Sequence, residues 1–461
     1  MIRNNQLKEA LIEIVGAENY TDQLVDLVSY SYDASTYRHR PDCAVWVKTT
    51  DQVSRILGLA NKEGIPVVPR GAGTGLCGLA VPARGGIVVD LTPMNRILSI
   101  RVPDRLVVVQ PGVVYAHLQA ALEPTGFFYP PDPASGKMCT LGGNVGTNAG
   151  GLKGAKYGTT RDYVLGLEVV LADGEVMRTG SKTMKCSSGY DLTRLMVGSE
   201  GTLGVVTEIT LRISPRPKAV ATATASFDRL EDAGEAVTQI MHSGVTPSVL
   251  ELLDAKTIEM LRKYAGLDLP EVEVMILAET DGMSKEDVEK QMDRVVEVFK
   301  SCNAKGVDRA RSVAEAEQLW LARKAIGGML GMIAPDRSSD DMAVPMSRIA
   351  EFLRGVQEIS KRHDLLILSY GHAGDGNIHT TVMYDSSNSD QVMRLEKILF
   401  DKHKLACDLG GTLTGEHGIG ISKASYMYME HDKVSLRVMR LLKKTLDPNN
   451  ILNPGKMGLE V

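Results

Sequence analysis

Aromatic residues make up only 5% of the 461-residue chain, and its six cysteines (Cys43, Cys77, Cys139, Cys186, Cys302, Cys407) contain no C-x-x-C pair. That scatter excludes a disulfide framework, an iron–sulfur ligand set, a zinc ribbon and a C-x-x-C-H haem site. It fits reduced thiols in the cytoplasm. No run of about 18 apolar residues occurs, so no transmembrane segment is expected. The opening MIRNNQLKEALIEIVG is an amphipathic helix start without the apolar core of a signal peptide. Basic excess is also missing. Against 57 Asp and Glu stand 52 Lys and Arg, a net charge of −5, which argues against nucleic acid as the main partner.

Glycine, by contrast, is abundant. Most of its 45 residues fall in short blocks between apolar runs, where glycine lets backbone approach a ligand or take positive φ. The length predicts two or three domains. Residues 1–40 read as an N-terminal helical segment, with Leu7, Leu11, Ile14 and Val15 at helical spacing. From 41 to 215 short β-rich runs such as AVWVKT, GGIVVDL and GVVTEITLRI alternate with glycine blocks and helical stretches, an α+β nucleotide-type domain. SPRPKA at 214–219 looks like a linker. Residues 216–416 then follow a β–α–β–β–α–β order, expected as an antiparallel sheet with helices on one side, and a second such unit follows the first. Residues 417–461 form a C-terminal segment ending in DPNNILNPGKMG.

The first glycine block is Pro69-Arg70-Gly71-Ala72-Gly73-Thr74-Gly75, continuing to Gly78. It follows the strand-like IPVV, and its backbone N–H groups could turn toward one anion. No lysine follows, so it is not a P-loop, and its G-x-G-x-x-G match alone is weak. The second block, Leu141 to Gly151, sets Asn144, Thr147 and Asn148 among Gly142, Gly143 and Gly146. This suits a flat ring hydrogen-bonded by backbone and amides. The third runs from Gly198 through Glu200, Gly201 and Gly204 to Val205 and Val206. Three such blocks in one domain argue against glycine-rich loops that bind nothing.

The series PRGAGTGLCG, QPGV, YPPDPAS, GGNVGTNAGG, YGTTRDYVLGLEVVLADG and GSEGTLGVVTE resembles the vanillyl-alcohol oxidase / p-cresol methylhydroxylase flavoproteins. With the C-terminal motifs described next, the chain looks like the FAD-linked D-2-hydroxyacid dehydrogenase branch, over residues of about 40 to 457. The resemblance implies a two-subdomain FAD-binding domain of the p-cresol methylhydroxylase type over 41–215, joined by 417–461. It implies a ferredoxin-like antiparallel-sheet cap, 216–416, carrying a metal site. It places FAD pyrophosphate on Arg70–Gly75, and lines the cofactor with Pro69, Pro131, Gly142–Asn148, Arg161, Asp162, Glu200–Val205 and Asn453. No histidine occurs at 69–78, where some relatives attach FAD, so a non-covalent cofactor is expected.

Three of the nine histidines fall in two tight motifs, Gly371-His372-Ala373-Gly374-Asp375-Gly376-Asn377-Ile378-His379 and Gly415-Glu416-His417-Gly418. A glycine-rich turn could bring His372 and His379 together, and Glu416 would add a carboxylate. Two imidazoles and a carboxylate suit Zn²⁺, Mn²⁺ or Fe²⁺. The resemblance implies a metal on His372, His379 and Glu416 and a general base at His417. Asp375 and Asn377 read as turn residues or supports of the ligands. A 2-hydroxy acid chelates a divalent ion through its hydroxyl and a carboxylate oxygen, which lowers the hydroxyl pKa. A neutral histidine can then accept the proton. Trp320-Leu321-Ala322-Arg323, read as the end of a helix, resembles the family's W-x-x-R, whose arginine holds the substrate. Some dicarboxylate-oxidising relatives carry Tyr-Lys before the Asp-x-x-x-Pro segment, where this chain has Ser338-Ser339. That favours a monocarboxylic acid.

The expected activity is therefore FAD- and metal-dependent oxidation of a small D-2-hydroxy acid, D-lactate first. Its alternative is the catalytic subunit of a glycolate-oxidising complex. Further readings are a non-redox ether-lipid synthase-like member and a non-catalytic flavin relay subunit. Electrons must leave to an outside acceptor: a quinone, a cytochrome, an iron–sulfur subunit or an electron-transfer flavoprotein. An oligomer or a multi-subunit complex is compatible with this, and a membrane would be reached only through a partner.

Overall fold

The tetrapeptides at 43–46, 67–70 and 87–90 are almost wholly apolar, as strands covered on both faces should be. In the computed structural model, which describes residues 5–460, they lie side by side: Cys43–Trp46 and Val67–Arg70 both pair in parallel with Ile87–Asp90. Tyr20–Thr21 adds an antiparallel edge. The amphipathic helix Thr50–Glu63 buries Val53, Ile56, Leu57 and Ala60 in the same core. Thr49 caps its start by accepting from Gln52 N, and Gly64 ends it at φ 64°, a left-handed position that glycine adopts without strain. A second sheet is antiparallel throughout, in the order Ile97–Arg101, Leu106–Val109, Val205–Arg212, Val164–Val170, Val176–Gly180. These sheets belong to one compact unit made of residues up to Gly150, Thr159–Pro215 and the chain from Glu416 onward. Within it, Asn5–Val15 is helical and buries Leu7, Leu11 and Val15. The C-terminal segment is stitched in by backbone bonds from Val67 N to Ile451 O (2.7 Å) and from Asn453 N to Val67 O (2.8 Å).

Gly151–Gly158 and Arg216–Gly415 form the second unit. Its two β–α–β–β–α–β-like stretches merge into one seven-stranded antiparallel sheet. The order is Gly306–Arg309, Ala219–Phe227, Val274–Gly282, Val249–Asp254, Ile367–His372, Asn377–Tyr384, Asp336–Ala343. Strand residues alternate between faces. On one face Leu250, Leu252, Ile276, Ile367, Ile378 and Val382 pack against the helices Leu230–His242, Lys285–Ser301, Ile349–His363 and Ser389–Asp408.

The other face is not bare, as helices on one side only would leave it. Leu253, Leu368, Tyr370 and Met383 pack there against the helices Ala255–Ala265 and Val313–Ile333. The expected α+β class, with an FAD domain of the p-cresol methylhydroxylase type and an antiparallel-sheet cap, is the architecture observed. Among the described residues no helix is long and apolar enough to cross a membrane.

Candidate active site

All three glycine blocks meet at a cavity of about 490 Å³ in the first unit, a size usual for cofactor pockets. Its walls include Pro69, Arg70, Gly71, Ala72, Gly73, Thr74 and Gly75 from the loop that leaves the strand Val67–Arg70. Gly142, Gly143, Asn144, Gly146 and Thr147 come from the helix Leu141–Thr147. Glu200, Gly201, Gly204, Val205 and Asn453 complete that part of the wall, and Glu416 and His417 line it as well. Glycines supply part of this surface, and at two of them a side chain would not fit. Gly201 has φ +69°, and a Cβ there would stand 2.5 Å from Pro69 Cγ. At Gly142 a Cβ would stand 2.5 Å from Pro111 Cβ.

Asn144 Nδ2 and Asn453 Oδ1 are buried polar atoms in these walls with no hydrogen-bond partner among the described residues. The other end of the Asn453 amide is fixed, donating to Glu200 O (2.7 Å) and Leu79 O (3.0 Å). A buried polar group without a partner costs stability. One such donor and one acceptor beside a large cavity fit a ligand with hydrogen-bonding edges, as FAD has. Glu200 accepts from Ile419 N (2.6 Å) and Gly420 N (2.9 Å), which holds the turn just after His417. Burial pushes its carboxyl up to about 7, against the pull of those two N–H groups and of Lys456 and Lys423.

Of the other residues expected around the cofactor, Pro131, Asn148, Arg161 and Asp162 stand outside these walls. Asn148 Oδ1 accepts from Arg161 N (2.8 Å) and Thr159 Oγ1 (3.0 Å), and Asp162 accepts from Thr159 N (2.9 Å). Asn148, Arg161 and Asp162 thus knit the neighbouring loop. Pro133, Ser135, Cys139 and Thr140 do line the cavity. The YPPDPAS run includes Pro133 and Ser135, and Cys139 and Thr140 lie beyond it.

In the second unit, His372 ends the strand Ile367–His372 and His379 lies in Asn377–Tyr384, across the hairpin. Alternation puts both on the face of Leu368 and Tyr370. Their Nε2 atoms are 3.3 Å apart with rings nearly perpendicular, at 89°. Two nitrogens bound tetrahedrally to one ion at about 2.0–2.1 Å would stand about 3.3–3.4 Å apart, so the donor pair fits a metal. The turn between them is ordered by Asp375, whose Oδ1 accepts from Asn377 N (3.2 Å). Gly415, the residue before Glu416, donates its N–H to Asp341 O (2.7 Å) and Oδ2 (3.1 Å). Ser339 meets Thr381 at 3.1 Å, and Lys402 binds Asp340 at 3.0 Å in the interior.

Arg323 lies in the middle of the helix Val313–Ile333, not at its end, because the helix runs on through Gly327, Gly328 and Gly331. These three glycines face open space, so nothing there forces a break. Arg323 Nε binds Glu251, a residue that sequence reasoning missed, and Glu251 also binds His372 Nδ1. Glu251 is 1% exposed, in the apolar strand Val249–Asp254. Burial pushes its carboxyl up, but His372 and Arg323 outweigh that and hold it at about 2. An acid in the middle of the otherwise apolar run VLELL was the available signal.

Residues 41–180 match the FAD binding domain family, and residues 216–457 match the family described as FAD linked oxidases, C-terminal domain. The chain belongs to the FAD-linked oxidase family. It is similar to the glycolate oxidase subunit GlcD of Bacillus subtilis, with 43% identity over 98% of this chain and 96% of the relative. It is also similar to D-lactate dehydrogenase of Anaerostipes hadrus, with 38% identity over 91% of this chain and 90% of that one. Among solved structures, p-cresol methylhydroxylase with substrate bound shares the fold at a TM-score of 0.83. There 18% of residues are identical, and 99% of this chain and 97% of the other are covered. This FAD-linked oxidase is thus an FAD-dependent oxidoreductase of the D-lactate dehydrogenase / glycolate oxidase GlcD family.

Proposed function

We propose that the protein oxidises a small D-2-hydroxy acid, D-lactate to pyruvate in the first instance, and passes the electrons to an external acceptor such as an electron-transfer flavoprotein. The observation that carries this reading is His417 in the wall of the cavity that the FAD-binding loops enclose, which gives base and flavin one chamber. Bound FAD, held without a covalent link, supplies the two-electron acceptor for the hydride that leaves C2. His417 takes the hydroxyl proton, so two electrons and two hydrogens leave the acid and a 2-oxo acid remains. Arg323 binds the substrate carboxylate. His372, His379 and Glu416 hold a divalent ion, Zn²⁺, Mn²⁺ or Fe²⁺, whose contribution is Lewis-acid polarisation of the 2-hydroxyl. Supporting this are the Nε2 separation of the histidine pair and the tether of Gly415 to Asp341, which fixes the backbone just before Glu416.

A second reading, the catalytic subunit of a glycolate-oxidising complex, is favoured by the 43% identity to GlcD. Anaerobic flavin bleaching by D-lactate, L-lactate and glycolate separates the two. Fast bleaching by D-lactate alone supports the first reading, and faster bleaching by glycolate supports the second. Bleaching by neither D-lactate nor glycolate would defeat both.

A further inference from the structure

The strand Val249–Asp254 is buried at every position, yet its third residue is a glutamate. Glu251 pairs directly across the sheet with His372, so the two side chains share a face. The two carboxylate oxygens serve different groups: Oε1 meets His372 Nδ1 and Oε2 meets Arg323 Nε. From there a ring of contacts closes. His372 faces His379 with 3.3 Å between Nε2 atoms, and His379 lies against Tyr370 with ring centroids 5.6 Å apart. The Arg323 guanidinium sits 5.5 Å from the Tyr370 ring centroid. Arg323 then returns to Glu251.

From this arrangement we infer that Glu251 is a positioning residue serving two duties at once: it fixes His372 as an Nε2 metal ligand and orients Arg323 for the substrate carboxylate. The inference rests on the metal and substrate roles proposed above. A carboxylate is an acceptor only. At Oε1 it therefore requires the proton of His372 on Nδ1, which leaves the Nε2 lone pair directed toward His379. At Oε2 it holds the Nε edge of Arg323 and sets the plane of the guanidinium. An amide in its place has one acceptor and one donor end. With oxygen toward Arg323, its NH₂ faces Nδ1 and favours the tautomer with Nε2 protonated, which cannot bind a metal. With oxygen toward His372, its NH₂ opposes the Arg323 N–H. Either way, one duty fails.

Supports of this kind typically contribute tenfold to a hundredfold in metal affinity. Zn²⁺ affinity of the FAD-loaded protein, measured by chelator competition, should therefore weaken about 10–100-fold in Glu251→Gln. The KM for D-lactate, measured at saturating Zn²⁺, should rise in the same variant, with flavin content unchanged. Glu251→Asp keeps the acceptor at a shorter reach and should recover part of both losses. Parent-like Zn²⁺ affinity and KM in Glu251→Gln would overturn the inference. A parent protein that binds no Zn²⁺, or a His372→Ala variant that binds it as the parent does, would instead defeat the underlying metal reading. Should neither Glu251 variant retain FAD, ¹⁵N-histidine spectra of the metal-free parent decide the matter. His372, assigned by difference from His372→Gln, should be the Nδ1-protonated tautomer, and an Nε2-protonated ring would overturn the inference.

Discussion

The glycine-lined cavity of the first unit and the histidine pair of the second are built by opposite means. Around the cavity, glycine-rich segments supply much of the wall. Gly71, Gly73, Gly142, Gly146 and Gly201 line it, and few charged side chains do. In the second unit the groups are side chains on neighbouring strands of a sheet, and His372 among them is bound by a buried carboxylate. A ligand gripped by backbone needs space where Cβ atoms would stand. A ligand gripped by imidazoles needs those rings aimed, and aim comes from partners such as Glu251. Damage to the first site should therefore appear as lost flavin, and damage to the second as lost chemistry with flavin in place. His417 tests the boundary of this contrast, being a chemical side chain in a backbone-made wall.

The largest effect is expected there. His417→Ala should slow flavin reduction by D-lactate roughly 10²–10⁴-fold. It should leave FAD and metal bound, as read by stopped-flow absorbance and elemental analysis. A parent-like bleaching rate between pH 6 and 9 would remove His417 from the proton transfer.

Next comes Gly201→Ala, which adds a Cβ at φ +69° against Pro69. Left-handed strain and overpacking together should cost about 2–4 kcal/mol. The loss should show as reduced FAD occupancy after gel filtration and a lower unfolding midpoint. Full FAD occupancy with an unchanged midpoint would mean that the glycine is not there for space.

The smallest effect concerns Glu200. Its carboxyl ionises near 4.5 in the open chain and near 7 in the folded one. Between those values the folded state holds the extra proton, so stability falls as pH rises through that window. The fall attributable to this residue is roughly 1–3 kcal/mol. Glu200→Gln should remove it. The difference in unfolding midpoint between parent and variant should then shift from pH 5 to pH 8 in the variant's favour, and a difference that stays constant with pH would refute the assignment.

Much of this contrast was visible in the sequence. The glycine blocks announce a backbone-made site because glycine is the residue that main-chain contact requires. The Gly-His-Ala-Gly-Asp-Gly-Asn-Ile-His run encodes a hairpin that brings two imidazoles together within seven residues. The support of that pair was hidden, because Glu251 lies 121 positions from His372 and meets it only through strand pairing. Hidden for the same reason was the merging of two β–α–β–β–α–β stretches into one sheet, since local periodicity does not record which edges join. The sequence marks the helix Val313–Ile333 only at Trp320–Arg323, because the helix is apolar on much of its circumference and carries three glycines in its last seven residues. That weakens the amphipathic pattern from which helices are recognised.

The central claim is that flavin and metal occupy separately built sites and act on one substrate. It is tested most directly by chelator treatment of the FAD-loaded protein, followed by anaerobic stopped-flow mixing with D-lactate. The stripped protein should stay yellow, bleach at least about 10²-fold more slowly than the untreated one, and recover on adding Zn²⁺ or Mn²⁺. Bleaching at the original rate with no divalent ion present would contradict the account.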